Sequence, residues 1–166
     1  MRSVDIVVAG AGAAGLVAGI AAAERGSSVV ILDSRAKIGA KILAAGGGRC
    51  NVTNEYVAPS CFNGGPERFT GRVLRAFGLD ATLRFFESIG APLTLEESGK
   101  YFPASNTGRT VLDALVTAAS QAGAVIRTGA AVQGIESLQH DEPTVRSLQE
   151  HALELGSLRA AQSEAA

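Results

Sequence analysis

Residues 4 to 33 restrict this chain more than any other stretch. Apolar residues 4–9 run into a glycine turn, Gly10-Ala11-Gly12-Ala13-Ala14-Gly15. Small residues at helical spacing follow as far as Gly26, then a second apolar run at 29–32, and then Asp33. The order predicts a strand, a tight turn, a helix, and a second strand ending in a carboxylate. Each glycine has its own mechanical task in such a unit. Gly10 turns the chain off the strand, Gly12 lets backbone approach a pyrophosphate, and Gly15 lets the helix lie close on the sheet. The phosphates then sit at the helix N-terminus, beside Ala13 and Ala14, where unpaired N–H groups and the positive dipole end favour anions. Asp33 lies eighteen residues past Gly15, near the ~20 at which an acid reaches a ribose hydroxyl, with Ser34 beside it. A glycine turn that merely lets a helix pack is the competing reading, because a chain with 20 glycines produces such triplets by chance. The agreement of strand, helix, second strand and acid favours a dinucleotide site.

Composition narrows the remainder. A chain of 166 residues predicts one domain with a real core. Its net charge of −1 offers no basic footprint for nucleic acid or for an acidic membrane surface. Cys50 and Cys61 match no metal or redox spacing and suit a reducing cytoplasm; no metal site is expected. The apolar start holds Asp5 and breaks at Gly10, too short for a signal-peptide core or a membrane span. A soluble cytoplasmic protein is the expectation.

After Asp33, polar residues 34–41 lead through 42–45 into Gly46-Gly47-Gly48, followed by Arg49-Cys50-Asn51-Val52-Thr53-Asn54. Three successive glycines favour neither helix nor strand, and they suggest close approach to a ligand or to another segment. A flexible linker is the alternative; the cluster of Arg49, Asn51 and Asn54 argues against a mere spacer. Residues 56–71, rich in Pro, Gly and polar side chains, read as an irregular surface excursion. Residues 73–77 and 81–89 read as helical, the second stopped by Gly90 and Pro92. Residues 93–96 and 100–103 form a hairpin about Glu97-Ser98-Gly99, with Tyr101 and Phe102 as packing residues. Residues 107–123 form another helix ending at Gly123, followed by strands at 124–127 and 131–135. A helix followed by an apolar strand supplies the third parallel strand of a doubly wound sheet. From about Leu138 no further strand is expected: Pro143 can open a helix, and 145–160 reads as amphipathic helix. The expected fold class is α/β, an incomplete Rossmann-like domain with a parallel sheet, a helical and loop insertion at about 42–106, and a carboxyl-terminal helix.

The glycine turn, Lys37 to Gly39, Lys41, the run from Gly46 to Asn54, and Gly99-Lys100-Tyr101-Phe102-Pro103 together resemble the BaiN-like bacterial NAD(P)/FAD-dependent oxidoreductases, relatives of aminoacetone oxidase. The likeness runs from about residue 4 to 136, and the glycine–arginine–cysteine–asparagine run is its most specific part. It implies FAD bound in extended form, with the pyrophosphate at Gly12 to Gly15 and the adenosine ribose on Asp33. It also implies that Lys41 and the segment Gly47, Gly48, Arg49, Cys50 and Asn51 line the phosphates and the flavin side. The backbone of Val132 would meet the adenine, and NAD(P)H would be the electron donor. Similar proteins more often carry Glu where Asp33 stands, and they are far longer. Residues 1–137 are therefore expected to be a partial FAD-binding domain, and 138–166 a helical tail unlike the family, so that activity of this chain alone is in doubt.

Three functions follow for comparison. The first is the FAD-binding portion of a flavin-dependent oxidoreductase, in which the flavin carries the redox chemistry. The second is a non-catalytic or degraded dinucleotide-binding module. The third, an NAD-dependent dehydrogenase, has no use for the inserted glycine–arginine segment. No proton-transfer residue is assigned: His140 and His151 lie in the tail as solvated side chains, and Cys50, with no partner cysteine suitably spaced, reads as structural. Uncovered apolar surface predicts self-association.

Overall fold

The four residues of β1 (Ile6–Ala9) and the five of β2 (Val29–Asp33) are runs of β-branched and aliphatic side chains, the composition of strands covered on both faces. In the computed structural model, which describes residues 3–137 and 143–147, they pair in parallel, Ile6 opposite Val29 through Ala9 opposite Leu32. Strand β6 (Val125–Thr128) joins the other side of β2, also in parallel, giving the order β1-β2-β6. The third parallel strand expected from the sequence is thus present. β2 is central, and Val29, Ile31 and Leu32 are buried there. Helix α1 (Ala13–Ala23) connects β1 to β2 and buries Leu16, Gly19, Ile20 and Ala23. A β-carbon on Gly19 would stand 2.5 Å from the end of Ile31, so the helix axis lies close to β2 because that position has no side chain.

The chain divides into two compact units. One comprises Met1–Ile38 with Ala119–Ala166, and the other Gly39–Ala118. The first also contains β7 (Val132–Ser137) and β8 (Pro143–Ser147), an antiparallel pair with a register shift between Val132 and Gly134. β8 corrects the reading of the tail. Pro143 opens a strand rather than a helix, and a further strand does follow β7. The local composition that favours helix yields here to pairing with β7, because main-chain hydrogen bonds to a neighbouring strand override a weak propensity. The remainder of the expected helix, and both histidines, lie outside the described residues.

The second unit begins with α2 (Ala40–Ala44) and a 3-10 turn, Ala45–Gly48, then β3 (Thr53–Asn54). Helix α3 (Glu67–Ala76) starts six residues before the expected 73, with Pro66 as its N-cap residue, Glu67 in its first turn and Arg75 in its last. Gly71, taken from the sequence as part of a surface excursion, lies inside this helix and is buried there. Pro59 lies beside the helix at Gly71, where a β-carbon would stand 3.6 Å from its ring, an ordinary van der Waals contact. Helix α4 (Leu79–Ser88) follows, and β4 (Leu93–Leu95) and β5 (Lys100–Pro103) form the expected hairpin. β3 adds to β5 in antiparallel fashion, Thr53 opposite Tyr101, which makes a three-stranded sheet ordered β3-β5-β4. That third strand, two residues long, carries no periodic signal in the sequence. Helix α5 spans Gly108–Gln121.

Three helices end on the glycine read as their stop. Gly90 N–H reaches the Glu87 carbonyl at 3.0 Å while Ala91 N–H reaches Phe86 at 2.8 Å, and Gly123 and Ala124 repeat this pattern with Ser120 and Ala119. Gly26 and Ser27 do the same with Ala23 and Ala22 at the end of α1. This reversal requires a left-handed residue, which glycine adopts without a Cβ clash.

Candidate dinucleotide site

The carboxyl ends of β1 and β2 meet the N-terminus of α1. Gly10, at φ +103°, carries the chain off β1 and donates its N–H to the Leu32 carbonyl at 2.6 Å. Gly12 is the N-cap residue of α1 in extended conformation, and no side chain caps the helix. The first turn holds no acidic residue, so the opening N–H groups and the positive dipole end have no protein carboxylate in that turn. The two remaining glycines differ in kind. A β-carbon on Gly12 would meet nothing within 4 Å, whereas one on Gly15 would overlap the Gly10 carbonyl oxygen and stand 3.3 Å from Val8. Gly15 is demanded by packing of helix on turn, and Gly12 leaves open space where a ligand could come.

Asp33 ends β2 and does more than its position in the sequence suggests. Its Oδ2 accepts the Ala11 N–H at 2.8 Å and its Oδ1 accepts the Arg35 N–H at 2.9 Å. The carboxylate thereby ties the glycine turn to the end of β2. An ionised carboxylate has about four acceptor positions, so two bonds leave capacity for a sugar hydroxyl. Asp33, Ser34, Gly10 and Val132 line one cleft of about 200 Å³, together with Ala130 and Ala131. Ala130 N–H donates to the Asp33 carbonyl at 2.8 Å and holds this wall in place. The volume is below the roughly 300–1,000 Å³ of a pocket that encloses a whole drug-sized ligand. It suits one end of an extended dinucleotide.

The other predicted residues lie in the second unit. Lys41 is exposed on α2. Gly46 and Gly47 are left-handed, at φ +56° and +69°, as is Gly48 at +92°, and Cys50 follows at +66°. Cys50 is buried and free, and burial pushes its thiol above the ordinary pKa, which disfavours a thiolate and agrees with a structural role. Arg49 is not an unattended cation. It pairs with Glu96 at 2.6 Å, donates to Asn106 Oδ1 at 3.3 Å, and lies over the Phe102 ring with 4.0 Å to its centroid. Asn51 presents a buried side-chain oxygen with no hydrogen-bond partner. Such an acceptor costs about 1–3 kcal/mol when left unpaired, so a water or a ligand N–H completes it. Sequence reasoning missed Glu96 and Asn106; an acid in a hairpin turn and an Asn in a loop carry no signal of a partner 47 or 57 residues away. Among the described residues no group of three or more His, Cys, Asp or Glu could hold a metal ion. No helix among them is long and apolar enough to cross a membrane.

The profile of the HI0933-like protein Rossmann domain matches residues 4–161. The chain belongs to that family. The match runs on into 138–161, part of the stretch that the sequence sets apart as a tail. The 3-dehydro-bile acid delta(4,6)-reductase of Clostridium scindens is 40% identical over 133 residues, which are 79% of this chain and 32% of that protein. The ribosomal RNA dihydrouridine synthase of Haemophilus influenzae is 31% identical over 136 residues, 82% of this chain and 34% of that one. The chain therefore spans about a third of the length of these curated relatives. Among solved structures, THI4 of Thermovibrio ammonificans superposes with a TM-score of 0.57 at 18% identity, over 87% of this chain and 54% of its own, a likeness of fold. Within the HI0933-like family this chain is an FAD-binding Rossmann-type domain.

Proposed function

We propose that this domain holds the adenosine diphosphate end of FAD and forms part of a flavin-dependent reductase. The observation that carries the reading is the uncapped, acid-free N-terminus of α1 placed beside Asp33, with open space at Gly12. Gly10 would shape the turn, Gly12, Ala13, Ala14 and Gly15 would receive the pyrophosphate on backbone N–H groups, Asp33 and Ser34 the ribose, and Val132 the adenine. Lys41, Gly47, Gly48, Arg49, Cys50 and Asn51 are assigned to the flavin side, a reading supported by the unpartnered Asn51 oxygen. A bound flavin supplies hydride and electron transfer, with NAD(P)H proposed as donor. The relatives' own names cover a bile acid derivative and ribosomal RNA. The net charge of −1 favours the small-molecule class over nucleic acid. A reducing compartment such as the cytoplasm is part of this proposal, and the two free cysteines support it.

Titration with FAD and with ADP, followed by flavin fluorescence and by thermal shift, tests this reading. The expected result is uptake of FAD with its visible absorption retained on gel filtration and released on denaturation. Protection by ADP with no retention of FAD would instead favour a non-catalytic nucleotide module, a reading the small cleft supports.

Self-association is part of the same proposal. Ile6 and Val125, on the outer strands β1 and β6, are 37% and 51% exposed, and Phe69, Val73 and Phe77 follow one another at four-residue spacing along and just past α3, at 66%, 49% and 44%. Sedimentation velocity is expected to show association that grows with concentration. A single monomeric species across that range would refute it.

A further inference from the structure

The backbone from Gly46 to Cys50 turns left-handed at four of its five residues, and one of these, Cys50, has a β-carbon. Asn106, also a non-glycine, is left-handed at φ +57° on the loop after β5. Conformations of this kind cost about 1–3 kcal/mol each and persist only where surrounding contacts hold them. Here the contacts converge on Arg49. Its Nη1 donates to Glu96 Oε1 and to Asn106 Oδ1, so it joins both strained segments to the turn of the β4–β5 hairpin. Its guanidinium lies on the face of Phe102, which is 4% exposed, while Gly46 lies against the same ring, where a β-carbon would stand 2.8 Å from it. This short glycine turn is thus fastened at one end by a ring contact and at the other by an ion pair.

We propose that Glu96 is a positioning residue. It holds Arg49 on Phe102 and, through Arg49, sets the Gly46–Cys50 backbone in the form that receives the flavin side of the cofactor. This rests on the flavin reading above and changes one part of it. Arg49 acts as a strut whose charge is satisfied within the protein, not as a cation reserved for a phosphate.

The two roles predict opposite signs. If Arg49 were a phosphate cation held back by Glu96, Glu96→Gln would release it and tighten FAD, and Arg49→Lys would retain most of the affinity. If Arg49 is a strut, Glu96→Gln and Arg49→Gln each weaken FAD by about five- to tenfold, a size set by a half-exposed ion pair together with a ring contact. The double variant is then no weaker than Arg49→Gln alone, since that change already removes the Glu96 contact. Arg49→Lys fails to restore affinity because an ammonium has neither the planar stack nor the fork. ADP affinity stays within about twofold in all of them, since the residues proposed for the diphosphate, Gly12 to Gly15, make none of these contacts.

A second readout needs no cofactor. In the unliganded protein the buried Cys50 thiol should react with an aromatic disulfide at least about tenfold faster in Glu96→Gln and Arg49→Gln than in the wild type, while exposed Cys61, replaced by serine in every variant, is out of the measurement. Weakened FAD with faster Cys50 modification supports the proposal. Unchanged or tighter FAD in Glu96→Gln, or full rescue by Arg49→Lys, overturns it while the flavin reading stands. If the wild type takes up no FAD, the flavin reading falls and the positioning role falls with it, and faster Cys50 modification would then mark a structural brace only.

Discussion

Gly15→Ala is expected to destabilise the unliganded protein severely, through packing alone. The added methyl would overlap the carbonyl oxygen of Gly10 and approach its carbon to 3.0 Å and Val8 to 3.3 Å. A flexible side chain could swing away, but a carbonyl bonded into the turn cannot. Gly10 is itself tied to Leu32 by its N–H, and Ala11 to Asp33 by its own. The helix must lift off the turn, or the turn must break its bonds to β2. Overpacking of this kind costs about 1–3 kcal/mol where the neighbours can yield, and more where they are backbone. A loss of about 3 kcal/mol or more is expected here, against a total of about 5–15 kcal/mol for a domain. In a chain of this size that lowers the melting temperature by roughly 6–12 °C. Differential scanning calorimetry of the unliganded protein measures it, and a shift under about 2 °C would show that α1 does not lean on the turn as described.

Gly12→Val is expected to do the reverse. Its φ of −82° is open to any residue, and nothing in the protein lies within 4 Å of the new β-carbon. The folded state loses only part of a helix cap, about 1 kcal/mol, so helical circular dichroism should persist and the melting temperature fall by a few degrees at most. The branched side chain instead occupies the space a diphosphate needs in order to reach the α1 N–H groups. Each hydrogen bond to a charged group is worth about 1.5–3 kcal/mol, so losing two weakens FAD and ADP alike by about 100-fold or more. Isothermal titration separates this outcome from a folding defect. Near wild-type affinity for ADP would place the diphosphate elsewhere and remove the glycine turn from the site.

These two glycines, three residues apart in one motif, show where sequence and tertiary structure divide the information. The strand–turn–helix–strand order, the helix stops at Gly26, Gly90 and Gly123, the β4–β5 hairpin and the parallel third strand are all legible in the amino-acid order. Each depends on a short window: an apolar period, a residue tolerant of positive φ, or a turn between two runs. Asp33 was legible as the acid that ends the second strand, since its distance from the motif follows from the length of one helix and one strand. Its bond to the Ala11 N–H was not, because the two residues are 22 apart and meet only when β1 and β2 pair in register.

The same limit explains the other differences. Propensity placed a helix at 143–147, yet pairing with β7 makes it a strand, and β3 exists only because β5 lies beside Thr53. The glycine–arginine run announced itself by composition, but the state of Arg49 is decided by Glu96, Phe102 and Asn106, which reach it from 47 to 57 positions away. What the amino-acid order determined on its own was the set of local elements and the chemistry they could host. Which charges stay free, which backbone groups are bound, and which glycine tolerates a side chain were decided by the fold, because those properties depend on contacts between segments that only chain closure brings together.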